Sequence, residues 1–147
     1  MSNGSGSVTE HDGKAYIVRS SNGGSGSENM LDYYFNADRS GLTGTIVTEF
    51  ILNRATATRV NVRLRSSAGR EYTGVDWYSD YLTVFASEQK GEDGAAVRQD
   101  SFYGAQTQLK VTIKVNTAEQ LVSVWLNNQL AIDNMYGRHA NANDLQY

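Results

Sequence analysis

The chain has no cysteine and no proline. Without cysteine there is neither a disulfide framework nor thiolate chemistry, and zinc loses its usual sulfur ligands. A chain of this length ordinarily carries about seven prolines. Its turns therefore fall to 14 glycines and to Asn, Asp and Ser, which tolerate tight bends and positive φ. A strong charge of one sign is also missing: 13 Lys and Arg stand against 16 Asp and Glu, a net charge of −3. That balance argues against the basic face of a nucleic-acid binder. No apolar run approaches the roughly 20 residues that cross a bilayer as a helix, so no membrane partner is expected. The opening residues, MSNGSGS, are polar and unlike a signal peptide.

What is present is a succession of strand patterns in 147 residues, enough for one domain with a substantial core. KAYIVRS (14–20) and MLDYYFNA (30–37) read as strands joined by the Gly/Ser-rich loop between them. GTIVTEFIL (44–52) is rich in β-branched residues. In TRVNVRLRSS (58–67), Val60, Val62 and Leu64 alternate with Asn61, Arg63 and Arg65, the period of a half-buried strand. SAGR then turns the chain into EYTGVDWYS, and DYLTVFASE follows closely, so these three form a meander. KGEDGAA (90–96) reads as a polar loop, and DSFYGAQTQ as a segment with one short helical turn. QLKVTIKVN (108–116) alternates strictly, with Leu109, Val111, Ile113 and Val115 inward. TAEQ turns into LVSVWLN, and a polar turn leads to QLAIDN.

About nine short antiparallel strands of this kind fold as an all-β, two-sheet antiparallel sandwich with little or no helix, because a single sheet of that size would leave one face wet. The expected organisation is an N-terminal tail over 1–13 and a single sandwich domain over 14–147.

The stretch LKVTIKVNTAEQLVSVWLNNQLAI, with SGLTGTIVTEFILN before it, resembles the laminin-G-like and concanavalin A-like jelly rolls. In those domains an alternating strand, an Asn- or Asp-rich turn, a strand ending in a pair such as Asn-Gly and a short return strand follow one another. The resemblance covers about residues 14–147 and implies an extracellular or cell-surface protein. Its range of activities is wide, since lectins, glycanases, lyases, adhesins and spacers share the fold.

The enzymatic members imply signatures that are missing here. Glycanases of the group carry a Glu-x-Asp-x-(x)-Glu strand, whose carboxylates flank the scissile bond. Glu49 is the lone acid of its strand, with Val47 and Ile51 beside it. Glu92 and Asp93 sit in a glycine-flanked loop, and Asp76 and Asp80 would face one another only across a favourable turn. Lyases of the fold use Tyr, His, Arg and Gln, but the two histidines, His11 and His139, fall in polar stretches. No nucleophile elbow supports Ser-His-Asp chemistry. The chain therefore reads as a non-enzyme without a required cofactor. Asp32, Asp38, Asp133 and Asp144 near strand ends are calcium candidates, although turn aspartates have the same distribution.

The richest constellation suits binding. Trp77, Tyr78, Tyr81, Tyr72 and Trp125 offer rings on which sugars stack through their C–H faces. Asn61, Arg63 and Arg65 share one outward row, and Arg54, Arg59 and Arg70 bring the arginines between 54 and 70 to five. Guanidinium forks match carboxylates and sulfates, so the expected ligand is an anionic polysaccharide. The competing reading of the same residues is cross-strand pairing that merely holds the sheet, with Arg63 or Arg65 on Glu71 or Asp76. Trp125 stands opposite Val124 and Leu126 and is expected beneath a loop such as DSFYGAQ or a second chain. A further reading makes the chain an assembly or adhesion unit of a surface, filament or viral particle, self-associating through open strand edges.

Overall fold

The computed structural model describes the backbone of residues 6–11, 14–19, 38, 40–54, 59–91, 96–139 and 143–146, and the side chains of these apart from 6–19 and 96–99. Two compact units emerge, Met1–Tyr33 and Tyr34–Tyr147. In the first, β1 (Gly6–His11) pairs antiparallel with β2 (Lys14–Arg19), Val8 opposite Ile17 and Thr9 opposite Tyr16. Gly6–His11 belongs to the stretch that the sequence suggests is a tail. Its Val8 and Thr9 are β-branched, and Lys14–Arg19 offers a ready partner. The MLDYYFNA stretch lies outside the described residues.

The second unit is an all-β, two-sheet antiparallel sandwich. Its strands are β3 (Thr45–Asn53), β4 (Val60–Arg65), β5 (Glu71–Trp77), β6 (Leu82–Phe85), β7 (Ala96–Asp100), β8 (Gln108–Asn116), β9 (Leu121–Leu126) and β10 (Gln129–Tyr136). One sheet has the order β10-β9-β8-β3, the other β4-β5-β6-β7. Among the described residues a single 3-10 turn, Ser101–Tyr103, interrupts the strands where one helical turn is expected. β7 was not legible: AVRQD offers a single β-branched residue and no alternation.

Alternation sets the core. Leu109, Val111, Ile113 and Val115 of β8 are fully buried, as are Val122, Val124 and Leu126 of β9. They meet Leu64, Val75, Trp77, Leu82 and Val84 from the other sheet in one cluster. Each such aliphatic side chain contributes roughly 1.5–3 kcal/mol relative to exposure. The turns follow local chemistry. Asn127 and Asn128 join β9 to β10 with φ of 49° and 64°, the left-handed pair that a two-residue hairpin loop requires. Gly69, at φ 72°, closes the SAGR turn with a 2.8 Å bond from its N–H to the Ser66 carbonyl.

Candidate functional site

The outer face of the β4-β5-β6-β7 sheet gathers most of the arginine and tyrosine candidates. The β4–β5 register sets Asn61 opposite Asp76 and Arg63 opposite Gly74. One step further, Leu64 faces Thr73 but Arg65 faces Glu71, so Tyr72 is an extra residue in β5. This bulge breaks the alternation. Tyr72 and Thr73 are both buried, and Glu71 emerges beside Arg63 and Arg65.

Gly74 supplies a slot across which Arg63 lies. A Cβ at position 74 would sit 2.6 Å from Arg63 Cδ and 2.6 Å from the Val62 carbonyl oxygen. Through that slot Arg63 Nη1 donates to the carbonyls of Val62 (3.1 Å) and Val75 (3.2 Å), and Nη2 donates to Asp76 Oδ1 (2.7 Å). Its Nε lies 3.5 Å from Glu71 Oε1. Asp76 also accepts from Arg59 Nη2 (2.9 Å) and from the Tyr78 hydroxyl (3.3 Å) on Oδ2. Glu71 accepts from Arg65 Nη2 (3.3 Å) and Arg138 Nη1 (2.6 Å). Arg138 arrives with the segment after β10, whose Arg138 and His139 N–H groups donate to the Tyr72 and Glu71 carbonyls.

Four guanidiniums thus enclose two carboxylates. The carboxylates lie deep, with Asp76 and Glu71 side chains 4% and 14% exposed, whereas those of Arg59, Arg65 and Arg138 are 48%, 32% and 25% exposed. Negative charge is therefore at the bottom of the layer and positive charge at its surface. The Arg65 side chain is held loosely: among the described residues it makes one long bond, to Glu71, and its buried Nε has no acceptor there.

Rings border the arginines. Tyr78 and Tyr81 flank the β5–β6 turn, which is closed by a 2.8 Å backbone bond between them. They stack with centroids 4.5 Å apart, and Arg59 lies 4.6 Å over the Tyr78 ring. Burial, aided by Asp76, raises the Tyr78 phenol above its ordinary pKa. Phe85 sits between Arg63 (4.9 Å) and Arg138 (4.5 Å), close enough for cation–π attraction.

Asn61, Arg63, Arg65, Tyr78 and Tyr81 therefore belong to one surface, with Asn61 exposed. Trp77 and Tyr72 do not. Both are fully buried on the core side, so neither presents a ring to a ligand. Trp77 Nε1 donates to the Tyr103 carbonyl (2.6 Å), and the buried Arg54 covers its ring at 4.2 Å. Arg54 also donates to the Gly104 and Gln106 carbonyls, tying the 101–106 loop down. Gly104 backs onto the Asp80 carbonyl so closely that no side chain would fit. The DSFYGAQ loop thus covers Trp77, where the sequence suggested Trp125. Trp125 is half-buried on the outer face of the other sheet, between Thr112 and Leu130.

Arg63 and Arg65 do pair with Asp76 and Glu71, as the competing reading of the row anticipated. Arg138 was missed, because no local pattern reveals a side chain brought by a segment more than 60 residues away, and Phe85 was missed although it lies opposite Gly74 on the neighbouring strand. The calcium candidates are dispersed. Asp38 accepts from Ser40, Asp133 from Ser123 and Asp144 from the Ser67 N–H, and Asp32 lies outside the described residues, as do Glu92 and Asp93. Among the described residues no three His, Asp or Glu side chains converge as metal ligands. Asp80 is exposed in the β5–β6 turn. Comparison with protein-family models, with curated proteins and with solved structures finds no match for this chain.

Proposed function

We propose that the chain is a non-catalytic binding module that takes an anionic polysaccharide on the outer face of the β4-β5-β6-β7 sheet. One observation carries this reading: four arginines, three of them with side chains a quarter to a half exposed, over two sunken carboxylates, beside a stacked tyrosine pair. In the proposed complex Arg63 is the scaffold, as its Nη atoms are engaged with Asp76 and two carbonyls. Arg59, Arg65 and Arg138 supply donors to sulfate or carboxylate groups. Asn61 bonds hydroxyls, and the Tyr78–Tyr81 edge meets the sugar rings. Kinship with the laminin-G-like and concanavalin A-like sandwiches, and a place outside the cell or at its surface, are parts of the same proposal. They are supported by the two-sheet architecture and by the β8–turn–β9–Asn127-Asn128–β10 succession.

Isothermal titration with heparin and polygalacturonate, against neutral dextran, tests the reading. Binding to an acidic polymer that weakens steeply with salt, and falls about tenfold in Arg59→Ala and in Arg65→Ala, is expected. Equal binding of dextran, or none to any acidic polymer, overturns it.

A further inference from the structure

The β10-β9-β8-β3 sheet ends in two strands of opposite character. β10 is irregular: its register with β9 shifts twice, and Asn134 adopts φ 48°. Such breaks are how a sheet edge is kept from pairing. β3 has none of them. Its nine residues pair with β8 in an unbroken register, and the strand contains no glycine, proline or lysine. Among the described residues it has no neighbour on the other side. Val47 and Ile51 are 62% and 60% exposed on its outer face.

The ladder fixes which backbone groups are free. The bonds from the Thr117 N–H to the Gly44 carbonyl and from the Arg54 N–H to the Thr107 carbonyl close the two ends of the β3–β8 pairing. Bonded and non-bonded pairs alternate in an antiparallel ladder, so the even-numbered residues of β3 bond to β8. The odd-numbered ones, Thr45, Val47, Glu49, Ile51 and Asn53, direct N–H and C=O away from the sheet.

Apart from Thr48 against Phe50, the strand is also close to a palindrome about Glu49: Ile46 answers Leu52, Val47 answers Ile51, and Thr45 answers Asn53. We propose that β3 pairs antiparallel with β3 of a second copy, on a two-fold axis through Glu49, joining two four-stranded sheets into one of eight strands. In that register Val47 faces Ile51 of the other copy twice over on the outer face, and Ile46 faces Leu52 on the inner. The interface is isologous, as a two-fold axis requires. Each Glu49 arrives neutralised by Lys110 Nζ (2.9 Å) and bonded by Thr112 Oγ1 (3.0 Å), so the four charges at the axis sum to zero. This pairing is independent of the arginine face and uses the opposite sheet.

The full chain carries the test, because it has no cysteine of its own and an introduced thiol reports its neighbour. Residues facing each other in a bonded pair lie about 5.5 Å apart at Cα, within the span of a disulfide. Under mild oxidant Glu49→Cys is expected to double its mass from 16.2 kDa. Val47→Cys alone is expected to stay single, and a mixture of Val47→Cys with Ile51→Cys to cross-link. All three positions are exposed, and circular dichroism verifies that each variant keeps its fold. The unmodified protein should approach twice its monomer mass in sedimentation equilibrium as concentration rises. A folded Glu49→Cys that stays monomeric, equal cross-linking at positions 47 and 49 alone, or a wild-type mass that stays at the monomer value at every concentration overturns the proposal.

Discussion

Replacing Glu71 by glutamine sets stability against binding. Glu71 faces three guanidiniums: Arg138 Nη1 at 2.6 Å, Arg65 Nη2 at 3.3 Å and Arg63 Nε at 3.5 Å. Glutamine keeps the size and one carbonyl acceptor, so the change is largely one of charge. Each ion pair is worth about 4 kcal/mol gross at 4 Å and an effective dielectric near 20. Desolvation cancels most of that, and partial exposure of Arg65 and Arg138 reduces it further, to roughly 1 kcal/mol per pair. The expected loss is therefore about 2–3 kcal/mol, a fall in the urea midpoint of about 1–2 M at an ordinary m-value. The same substitution removes one negative charge from beneath the arginines of the face. Heparin affinity at low salt is then expected to rise by about three- to tenfold. Urea denaturation and heparin titration on the same preparation read both. A variant as stable as wild type refutes the network's part in holding the sheet. A folded variant that binds heparin more weakly refutes the electrostatic account of binding.

Three other expectations follow from the core, the phenols and the turns. Trp77→Phe loses the 2.6 Å bond to the Tyr103 carbonyl and part of the ring that Arg54 covers, a cost of about 2–4 kcal/mol in denaturation. The fluorescence left from Trp125 should quench readily with acrylamide, and an unchanged midpoint would argue against the buried site. Burial, reinforced by Asp144, pushes the Tyr72 phenol well above its ordinary range, and burial with Asp76 raises Tyr78. An alkaline absorbance titration should thus show these two among the last of nine tyrosines to ionise, as Tyr72→Phe and Tyr78→Phe would identify. Unfolded tyrosine ionises near pH 10, so their contribution to stability is complete below about pH 10 and is lost as pH rises toward the folded values. A urea midpoint that does not fall above that pH counts against the assignment. Asn128→Val, at φ 64°, should cost about 1–2 kcal/mol, while Asn128→Gly should be neutral or better by thermal melting. Equal melting of the two would contradict the left-handed turn.

Legibility tracked how many faces of a strand are wet. β8 buries one face and wets the other, and β4 alternates strictly in sequence, so alternation alone located both. β5 is buried on both faces, since Arg63 roofs Gly74 and Asp76 on the outside. Period two then carries no orientation, and the bulge at Tyr72 removes what remained. That is why Trp77 and Tyr72 read as surface rings and lie in the core. The outward Asn61–Arg63–Arg65 row was legible because β4 is an edge strand of regular period. The depth of Asp76 and the arrival of Arg138 were not, because both depend on contacts far apart in sequence.

The most direct test of the anion-binding face is a heteronuclear NMR titration of labelled protein with a short heparin oligosaccharide, following arginine side-chain N–H groups, the Asn61 amide and the tyrosine rings. The account predicts that Arg59, Arg65, Arg138, Asn61 and Tyr78 shift together and saturably while Trp125 and Lys110 on the other sheet stay in place. Shifts centred on Trp125 and the β8 lysines, with the β4–β5 face unchanged, would contradict it.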